Sequence, residues 1–371
     1  RLILRLDDKL KLFELALTLA YDTKSNYEDI FQQTRMWDSL TYNHLLERNI
    51  IVPPNVKASD ADSYEGAYVK VPQVGLHEWV ASFDLNSLYP HLMMQYSISP
   101  ETLIQPEDYT PEMHKIVSEG VTVEKLLNKE INLDFLKNKN ITITPNGQFF
   151  RTDKQGFLAK MMEDMYEDRK KFKKLMLQAK QDYENEKDST KKFDIEKRIA
   201  RYNNLQLAKK LALNSAYGTM GSQYFRFYDV RLALAITTAG QLSIKWIENK
   251  INQYLNKLLN TDTDYVIAVD TDSTYLRLGD LVNKVYGVDG VVSMPKQKVI
   301  DFMDRVCEDR LQPYIDKSYQ ELAEYVNAYA QKMQMKREAL ADKGIWTAKK
   351  RYILNVYNNE GVQYAEPYVK V

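Results

Sequence analysis

The stretch YVIAVDTDSTYLRL, residues 265–278, predicts a β-hairpin with two carboxylates at its turn. Residues 266–269 are apolar, and residues 274–278 alternate apolar and polar side chains, so both arms have a strand pattern. Asp270 and Asp272 lie between the arms. Acids this close raise each other's pKa unless a cation lies between them, so the pattern indicates hard divalent cations with oxygen ligands. A plain polar turn explains the same stretch equally well when it is taken alone.

The composition is that of a globular chain with a sizeable core. The 371 residues are 44% apolar and 11% aromatic, enough for two or three compact units. Basic and acidic residues number 51 each, so only local charge can indicate a nucleic-acid partner. No apolar run reaches about 18 residues, and there is no signal-peptide pattern. The expected location is therefore the cytoplasm, without a membrane segment.

Cysteine and histidine usage predicts neither a disulfide nor a zinc site. Cys307 is the single cysteine, so it cannot form an internal disulfide. Its charged neighbours predict a helix surface and fit a reducing compartment. The four histidines are scattered without the spacing of zinc ligands, which favours ordinary surface or core roles for them.

Hydrophobic spacing predicts an α+β sheet with helices on one face. Residues 1–52 have helical spacing and stop at Pro53-Pro54, and residues 101–150 carry no legible function. The predicted strands are residues 64–71, 78–83, 335–341, 346–357 and 362–371, besides the hairpin. The predicted helices are residues 91–96, 156–217, 230–258 and 297–334. The second of these helical regions breaks near residues 187–190 into a hairpin, with Ser189 or Thr190 as N-cap and with Gly218 and Gly221 at its end.

The helical hairpin has a locally positive face. Residues 169–180, RKKFKKLMLQAK, contain six basic residues and no acidic one. Lys210, Asn214 and Tyr217 share one helical stripe at i, i+4 and i+7. A cation, an amide and a phenol on one stripe suit an anion or a nucleotide, although a solvated helix face accounts for most charge runs.

Four spaced motifs resemble those of one enzyme family. They are SFDLNSLYP (82–90), KKLALNSAYG (209–218), VDTDS (269–273) and KKRY (349–352). In this order they resemble motifs A, B and C and the KxY-type element of family B DNA polymerases. The connecting stretches SISPETL, RFYD, AITTAGQ and EGVQYAEP are most similar to the replicative polymerases of T4-like bacteriophages. The resemblance covers nearly the whole chain.

The resemblance implies a fold and a reaction. The fold is a polymerase palm, with an antiparallel β-sheet and helices on one face, plus an inserted two-helix fingers hairpin. The reaction is DNA-directed DNA synthesis, the template-directed addition of dNMP to a primer 3′-OH by two-metal-ion nucleotidyl transfer in phage DNA replication. Two carboxylates from separate strands can bracket a metal pair, and cations on the hairpin can close on a triphosphate.

Site residues are implied wherever this sequence matches the motifs. The implied metal ligands are Asp84, Asp272 and the Leu85 carbonyl, with two Mg²⁺ ions, Mn²⁺ as a substitute, and Asp270 as a weaker participant. The implied catalytic residues are Asp84, Asp272, Asp270 and Lys210. The implied nucleotide-binding residues are Arg169, Lys173, Lys210, Asn214, Ser87, Leu88, Tyr89, Tyr217 and Gly218. The implied DNA-binding residues are Tyr64, Gly66, Thr271, Lys350 and Tyr352. Glu338 is implied to be a nearby carboxylate that does not itself hold the metal.

The resemblance also implies segments and partners. The segments are an N-terminal helical remnant and linker (1–55), a first palm segment with motif A (56–155), the fingers hairpin with motif B (156–222), and a second palm segment with motif C and KKRY (223–371). The partners are primer-template DNA and dNTP, with a sliding clamp and other replisome proteins for a full-length enzyme. The family's 3′→5′ exonuclease and thumb domains have no counterpart here. His91 and Ala67 depart from the family pattern without touching a metal ligand.

Two alternatives remain open from the sequence. One is a non-catalytic DNA-binding fragment of the same fold, against which the clustered acids argue, because acids near DNA phosphates serve little purpose without chemistry. The other is a different palm polymerase. A reverse transcriptase would carry paired acids of the YxDD kind instead of DTDS, and a protein-primed enzyme would need an extra palm insertion.

Overall fold

The computed structural model describes residues 1–54, 65–288, 291–292 and 294–371. The helices are α1 (Leu2–Leu10), α2 (Leu12–Thr23), α3 (Gln33–Leu46), α4 (Leu88–Tyr96), α5 (Pro111–Glu119), α6 (Val123–Leu127), α7 (Phe157–Asn185), α8 (Ser189–Met220), α9 (Val230–Leu259), α10 (Gly279–Tyr286), α11 (Lys296–Val306) and α12 (Gln312–Tyr325). The strands are β1 (Gly75–Leu85), β2 (Ile141–Ile143), β3 (Phe149–Arg151), β4 (Val266–Asp270), β5 (Ser273–Arg277), β6 (Gly287–Val288), β7 (Val291–Val292), β8 (Met335–Ala348), β9 (Arg351–Asn359) and β10 (Val362–Lys370).

One antiparallel sheet organises the strands that carry the sequence motifs. Its order is β10-β9-β8-β1-β5-β4, and each neighbouring pair is antiparallel. The predicted hairpin is confirmed, because Val269 pairs with Thr274 and Asp270 pairs with Ser273. Together with the helices, this sheet confirms the α+β class.

The chain divides into two compact units, each assembled from separate stretches of sequence. The helical unit consists of Arg1–Tyr64, Ser97–Thr102 and Gln155–Ala233. The sheet unit consists of Glu65–Tyr96, Leu103–Lys154 and Leu234–Val371.

In the helical unit, the short connection between α7 and α8 confirms the predicted helical hairpin. The buried side of α8 packs against the N-terminal helices, where Trp37 is 1% exposed and its indole Nε1–H donates to Ser215 Oγ at 2.9 Å. The predicted N-cap, Ser189 or Thr190, is wrong. Asp188 caps α8, and its Oδ1 accepts from the backbone N–H of Thr190 at 2.8 Å, since a carboxylate one residue earlier reaches the free N–H groups.

The core of the sheet unit lies between the sheet and its long helices. Trp246 on α9 donates its indole N–H to the Ser318 carbonyl oxygen on α12 at 2.8 Å. Gln312 at the start of α12 donates to the Met335 carbonyl oxygen on β8 at 2.8 Å. These contacts pack α9 on α12 and α12 on the sheet.

Further predictions about local structure are corrected. Tyr64 lies outside the described residues, and within residues 65–71 the structure has an isolated bridge at Val69 instead of a strand. The predicted strand 346–357 is two strands, because the chain turns between Ala348 and Arg351. Gly218 lies inside α8, which ends at Met220. Cys307 is fully buried in a π-helical turn, so it is not on a helix surface.

Helix α8 runs two residues past Gly218 because Gly221 supplies the C-cap. The helical prediction for residues 297–334 is also too long, since α12 ends at Tyr325. Among the described residues, no helix is both long and apolar enough to cross a membrane.

Candidate functional site

The sheet brings together two acidic motifs that are far apart in sequence. Asp84, near the end of β1, pairs in register with Ser273 at the start of β5. The backbone N–H of Leu85 donates to the Asp272 carbonyl oxygen at 2.9 Å. Asp84 therefore lies beside the turn that carries Asp270 and Asp272, as the resemblance implies.

The turn itself has an unusual backbone. Thr271 has φ 60°, a left-handed conformation that a β-branched residue rarely adopts. Its N–H donates to the Tyr68 carbonyl oxygen at 3.0 Å, and the Asp272 N–H donates to the Asp270 carbonyl oxygen at 2.7 Å. Strained residues of this kind persist where the surroundings hold them, often at functional sites. The turn thus fixes the two carboxylates at the end of the hairpin.

A β-bulge places a further carboxylate nearby. The register between β1 and β8 shifts between Ala81 and Phe83, which leaves an extra residue on β8. Opposite the shift, Ser82 Oγ accepts from the Ala339 N–H at 3.0 Å and donates to Glu338 Oε2 at 3.4 Å. A β-bulge changes the direction of the side chains at the extra residue, and Glu338 lies in this bulge.

The electrostatics show that the carboxylates interact. Burial, followed by the neighbouring Asp272 and Glu338, raises the pKa of the Asp84 carboxyl from 3.8 to about 7. Burial is also the main cause of the raised pKa of Asp272, to which Asp270 and Glu338 contribute. Two acids whose ionisation is disfavoured by burial and by like charge form a site that a cation would stabilise.

The nearby lysines neutralise the flanking acids, Asp270 and Glu338. Asp84 and Asp272 are here named the central pair. Lys350 Nζ lies 2.8 Å from Asp270 Oδ1, and Lys370 Nζ lies 2.6 Å from Glu338 Oε1. Within the described ranges, no cationic side chain forms an ion pair with Asp84 or Asp272. The donor set of this central pair therefore fits a hard divalent cation.

The central pair is a sparse ligand set. In the stretches that the structure describes, no group of three or more histidine, cysteine, aspartate or glutamate side chains is arranged to hold a metal. Mg²⁺ commonly binds through one or two carboxylates and takes its other ligands from water and substrate phosphates, so two carboxylates are sufficient for that chemistry.

Four of the predicted DNA-binding residues, Gly66, Thr271, Lys350 and Tyr352, belong to the sheet unit. Lys350 has φ 60° in the turn between β8 and β9. Tyr352 stacks on Trp346 with ring centroids 5.6 Å apart, and its hydroxyl accepts from the Tyr275 hydroxyl at 2.9 Å. Gly66 accepts at its carbonyl oxygen from Gln241 Nε2 at 2.7 Å. A cavity of about 560 Å³ beside these residues is lined by Glu65, Ala67, Tyr68, Val69, Gln241, Lys245, Lys349 and Lys350.

Helix α4 follows motif A and begins with two of the predicted nucleotide-binding residues, Leu88 and Tyr89, while a third, Ser87, directly precedes it. Ser87 has φ 46°, and its carbonyl oxygen accepts from His91 Nδ1 at 3.0 Å, so the departure at His91 closes the first turn of the helix. Leu88 is buried. The Tyr89 ring lies against α9, where a Cβ added at Gly240 would be 3.3 Å from Tyr89 Cε1.

The remaining predicted nucleotide-binding residues lie in the helical unit. Arg169 is partly buried on α7, and Lys173 is exposed one turn later. On α8, Lys210 and Asn214 are exposed and Tyr217 is partly buried, so the predicted stripe is accessible over its first two positions. Gly218 is exposed beside it.

Sequence reasoning missed a lysine that joins three helices of the helical unit. Lys209 Nζ lies 2.9 Å from Asp22 on α2 and 3.2 Å from Asp168 on α7, with its side chain 12% exposed. This contact places Arg169 and Lys210, the next residue on each helix, at the same level of the hairpin. The sequence offers one signal for it, a lysine beside Lys210 in motif B.

The N-terminus of α7 is capped from outside the helix, which also escaped prediction. The Phe157 N–H donates to Glu101 Oε1 at 2.6 Å, and the Leu158 N–H donates to Ser99 Oγ at 3.3 Å. The Gly156 N–H donates to Ser97 Oγ at 2.8 Å. The SISPETL stretch thus satisfies backbone donors that the helix cannot pair itself.

Comparisons with known proteins give a consistent result. The family model for DNA polymerase family B matches residues 29–288. The DNA-directed DNA polymerase of Escherichia phage RB69 is 32% identical over 417 aligned residues, which cover 100% of this chain and 44% of that protein. The Enterobacteria phage T4 enzyme is 32% identical over 98% of this chain and 44% of its own length. The DNA polymerase delta catalytic subunit of Candida albicans is 28% identical over 67% of this chain and 21% of its own length.

The chain spans 44% of the length of the two phage relatives. The matched region includes strand β1 with Asp84, the β4–β5 hairpin with Asp272, and the whole helical hairpin. This chain therefore belongs to family B of the DNA polymerases.

Proposed function

We propose that this chain is the palm and fingers core of a DNA-directed DNA polymerase that adds dNMP to a primer 3′-OH. The observation that carries the proposal is the pair Asp84 and Asp272, which adjacent antiparallel strands bring together while nearby lysines neutralise the flanking acids. Family membership supports the same conclusion.

Asp84, Asp272 and the Leu85 carbonyl would hold two Mg²⁺ ions, or Mn²⁺ in their place. When bound, such ions lower the pKa of the attacking hydroxyl and neutralise the charge of the leaving pyrophosphate. Asp270, paired with Lys350, would stay beside the site as a weaker participant. Glu338, paired with Lys370, would shape the local field without holding the metal.

The substrates we propose are a primer-template duplex and dNTP. Arg169, Lys173, Lys210 and Asn214 would bind the triphosphate, because a basic, accessible helix face attracts phosphate oxygens. Lys350 and Tyr352 would hold the primer strand, with Thr271, Gly66 and Tyr64 contributing to the DNA path. Ser87, Leu88 and Tyr89 would contact the nucleotide, and Tyr217 and Gly218 would pack on the nascent base pair.

The four segments inferred from the motifs belong to this proposal. They are residues 1–55, 56–155, 156–222 and 223–371, of which the third is the fingers hairpin. A sliding clamp and other replisome proteins are the partners we propose for the full-length enzyme.

Primer extension with Mg²⁺ tests the proposal. The wild-type chain should extend a DNA primer on a DNA template, and Asp272→Asn or Asp84→Asn should abolish extension without unfolding the chain, because each removes a ligand charge and no core volume. Asp262→Asn removes the same charge at an exposed position near β4 and should extend normally. Near-normal extension by Asp272→Asn would refute the metal assignment. Binding of DNA without extension would favour the non-catalytic alternative, and a preference for an RNA template would favour a reverse transcriptase.

A further inference from the structure

Residues 66–73, here named the edge segment, lie along the outer strand β4 without forming a regular strand. The Lys70 N–H donates to the Val269 carbonyl oxygen at 3.0 Å, and the Gln73 N–H donates to that of Ile267 at 2.9 Å. The Thr271 N–H donates in the opposite direction, to the Tyr68 carbonyl oxygen at 3.0 Å. The edge segment therefore supplies the acceptor for the strained residue of the acidic turn.

The Lys70 side chain fixes the edge segment to two other regions of the sheet unit. Its Nζ lies 2.6 Å from Glu248 Oε1 on α9, 2.7 Å from Asp264 Oδ2 and 2.8 Å from the Val266 carbonyl oxygen. An ammonium group has three donors, and all three are used here. The Lys70 and Glu248 side chains are only 14% and 13% exposed, so water would compensate poorly for a lost partner.

Helix α9 holds the edge segment at two further points. Gln241 Nε2 donates to the Gly66 carbonyl oxygen at 2.7 Å, and Lys245 Nζ lies 4.7 Å from the centroid of the Tyr68 ring. Gln241, Lys245 and Glu248 stand at i, i+4 and i+7, which is one face of a helix. One face of α9 thus contacts the edge segment on both sides of the Tyr68 carbonyl oxygen.

We propose that Lys70 is a positioning residue for the metal-binding turn. Its ion pairs with Glu248 and Asp264 hold the edge segment, whose Tyr68 carbonyl oxygen in turn holds Thr271 between Asp270 and Asp272. The inference rests on the proposed function, since it deepens the role given there to the turn. It assigns a catalytic consequence to a lysine that does not touch substrate or metal.

The chain offers a matched control for Lys70. Lys250 on α9 forms an ion pair of 2.6 Å with Glu321 on α12, and the Lys250 side chain is 21% exposed. Its ammonium group does not contact the edge segment. Lys250→Met therefore removes one lysine ion pair from the same unit without acting on the edge segment, whereas Lys70→Met removes the two ion pairs that hold it.

Two measurements test the inference. The first is hydrogen–deuterium exchange of the peptide that contains residues 266–274, by mass spectrometry. Lys70→Met should speed exchange of the Thr271 amide by about tenfold, the size expected when one charged anchor of a local structure is lost. The second is the Mg²⁺ concentration that gives half-maximal primer extension. It should rise by about tenfold in Lys70→Met with KM for dNTP unchanged. Lys70→Arg, which keeps the charge, should recover most of both effects.

Lys250→Met should change neither quantity. If Lys70→Met leaves both as in wild type, or changes them no more than Lys250→Met does, Lys70 has only a structural role and the inference is overturned. A wild-type chain that extends no primer would instead refute the proposed function. The exchange comparison would then still decide whether Lys70 holds the turn.

Discussion

At the scale of single residues, the Tyr89 ring packs where Gly240 has no side chain. Tyr89, Leu88 and Leu92 all approach the site where Gly240 would carry a Cβ, at 3.3, 3.5 and 3.5 Å. A methyl group there would force its neighbours to move by a few tenths of an ångström. The glycine in the AITTAGQ stretch therefore permits α4 and α9 to approach closely, with the Tyr89 ring against α9.

We predict that Tyr89→Ala incorporates ribonucleotides more readily relative to deoxyribonucleotides. The ring would lie against the sugar, where a 2′-hydroxyl loses water without gaining a partner, at a cost of about 1 to 3 kcal/mol. The ratio of kcat/KM values for the two sugars should therefore change by about tenfold or more. Leu92→Ala removes volume from the buried face of the same helix and should slow both sugars alike. An unchanged ratio in Tyr89→Ala would make it an ordinary packing residue.

We also predict that ionisation of Asp84 opposes folding when metal is removed. Its pKa is raised from 3.8 to about 7, so between these values the folded state binds more protons than the unfolded state. The free energy of unfolding should then fall as pH rises from about 4 to about 7, and level off above that range. Thermal unfolding in EDTA across this range measures the effect. Asp84→Asn should flatten the pH profile, and a profile identical to that of wild type would contradict the prediction.

At the scale of elements, the helical hairpin has an N-cap on α8 that the local sequence does not identify. Asp188, Ser189 and Thr190 are all favourable N-cap residues, and sequence preference alone does not rank them reliably. The structure selects Asp188, whose Oδ1 lies 2.8 Å from the Thr190 nitrogen and 3.4 Å from the Lys191 nitrogen. A carboxylate at this position also interacts favourably with the helix dipole.

We expect Asp188→Ala to lower the free energy of unfolding by about 1 kcal/mol, the usual contribution of an N-cap. Ser189→Ala should change it by no more than a few tenths of a kcal/mol, as expected for a surface substitution. Urea unfolding followed by circular dichroism compares the two variants directly. If Ser189→Ala is the more damaging substitution, the cap has been placed on the wrong residue.

At the scale of the whole molecule, the balanced charge restricts how the chain could bind DNA. With 51 basic and 51 acidic residues, attraction to phosphate must come from local clusters. One such cluster is the pair Lys349 and Lys350 in the turn between β8 and β9. Lys349 is exposed, and it lines the cavity beside the edge segment.

We predict that affinity for primer-template DNA falls steeply between about 50 and 200 mM salt, because phosphate contacts release counterions. Lys349→Ala should weaken binding on all sequences and lower the salt slope by about one. Lys115→Ala, which replaces an exposed lysine on α5, should leave the slope unchanged. Fluorescence anisotropy over a salt series measures the slopes. Tight binding that barely changes with salt would show that the contact surface has been misjudged.

Long-range contacts account for most of what sequence reasoning missed. Lys70 is one of 51 basic residues, and nothing in its immediate sequence separates it from a surface lysine. The partners of Lys70 are 178 and 194 residues away in the chain. The bulge beside Glu338 has the same origin, since it exists only in the pairing of β1 with β8.

The sequence by itself determined the β4–β5 hairpin, the long helices α7, α8 and α9, and the family, because hydrophobic period and motif spacing are local properties of the chain. Only the tertiary structure decided which carboxylates lie close together and which of them form ion pairs with lysines. Asp84 reaches Asp272 through the pairing of β1 with β5, while Lys350 and Lys370 pair with Asp270 and Glu338. The physical reason is that burial and the distances between charges, which set pKa values and cation affinity, arise only when distant segments pack together.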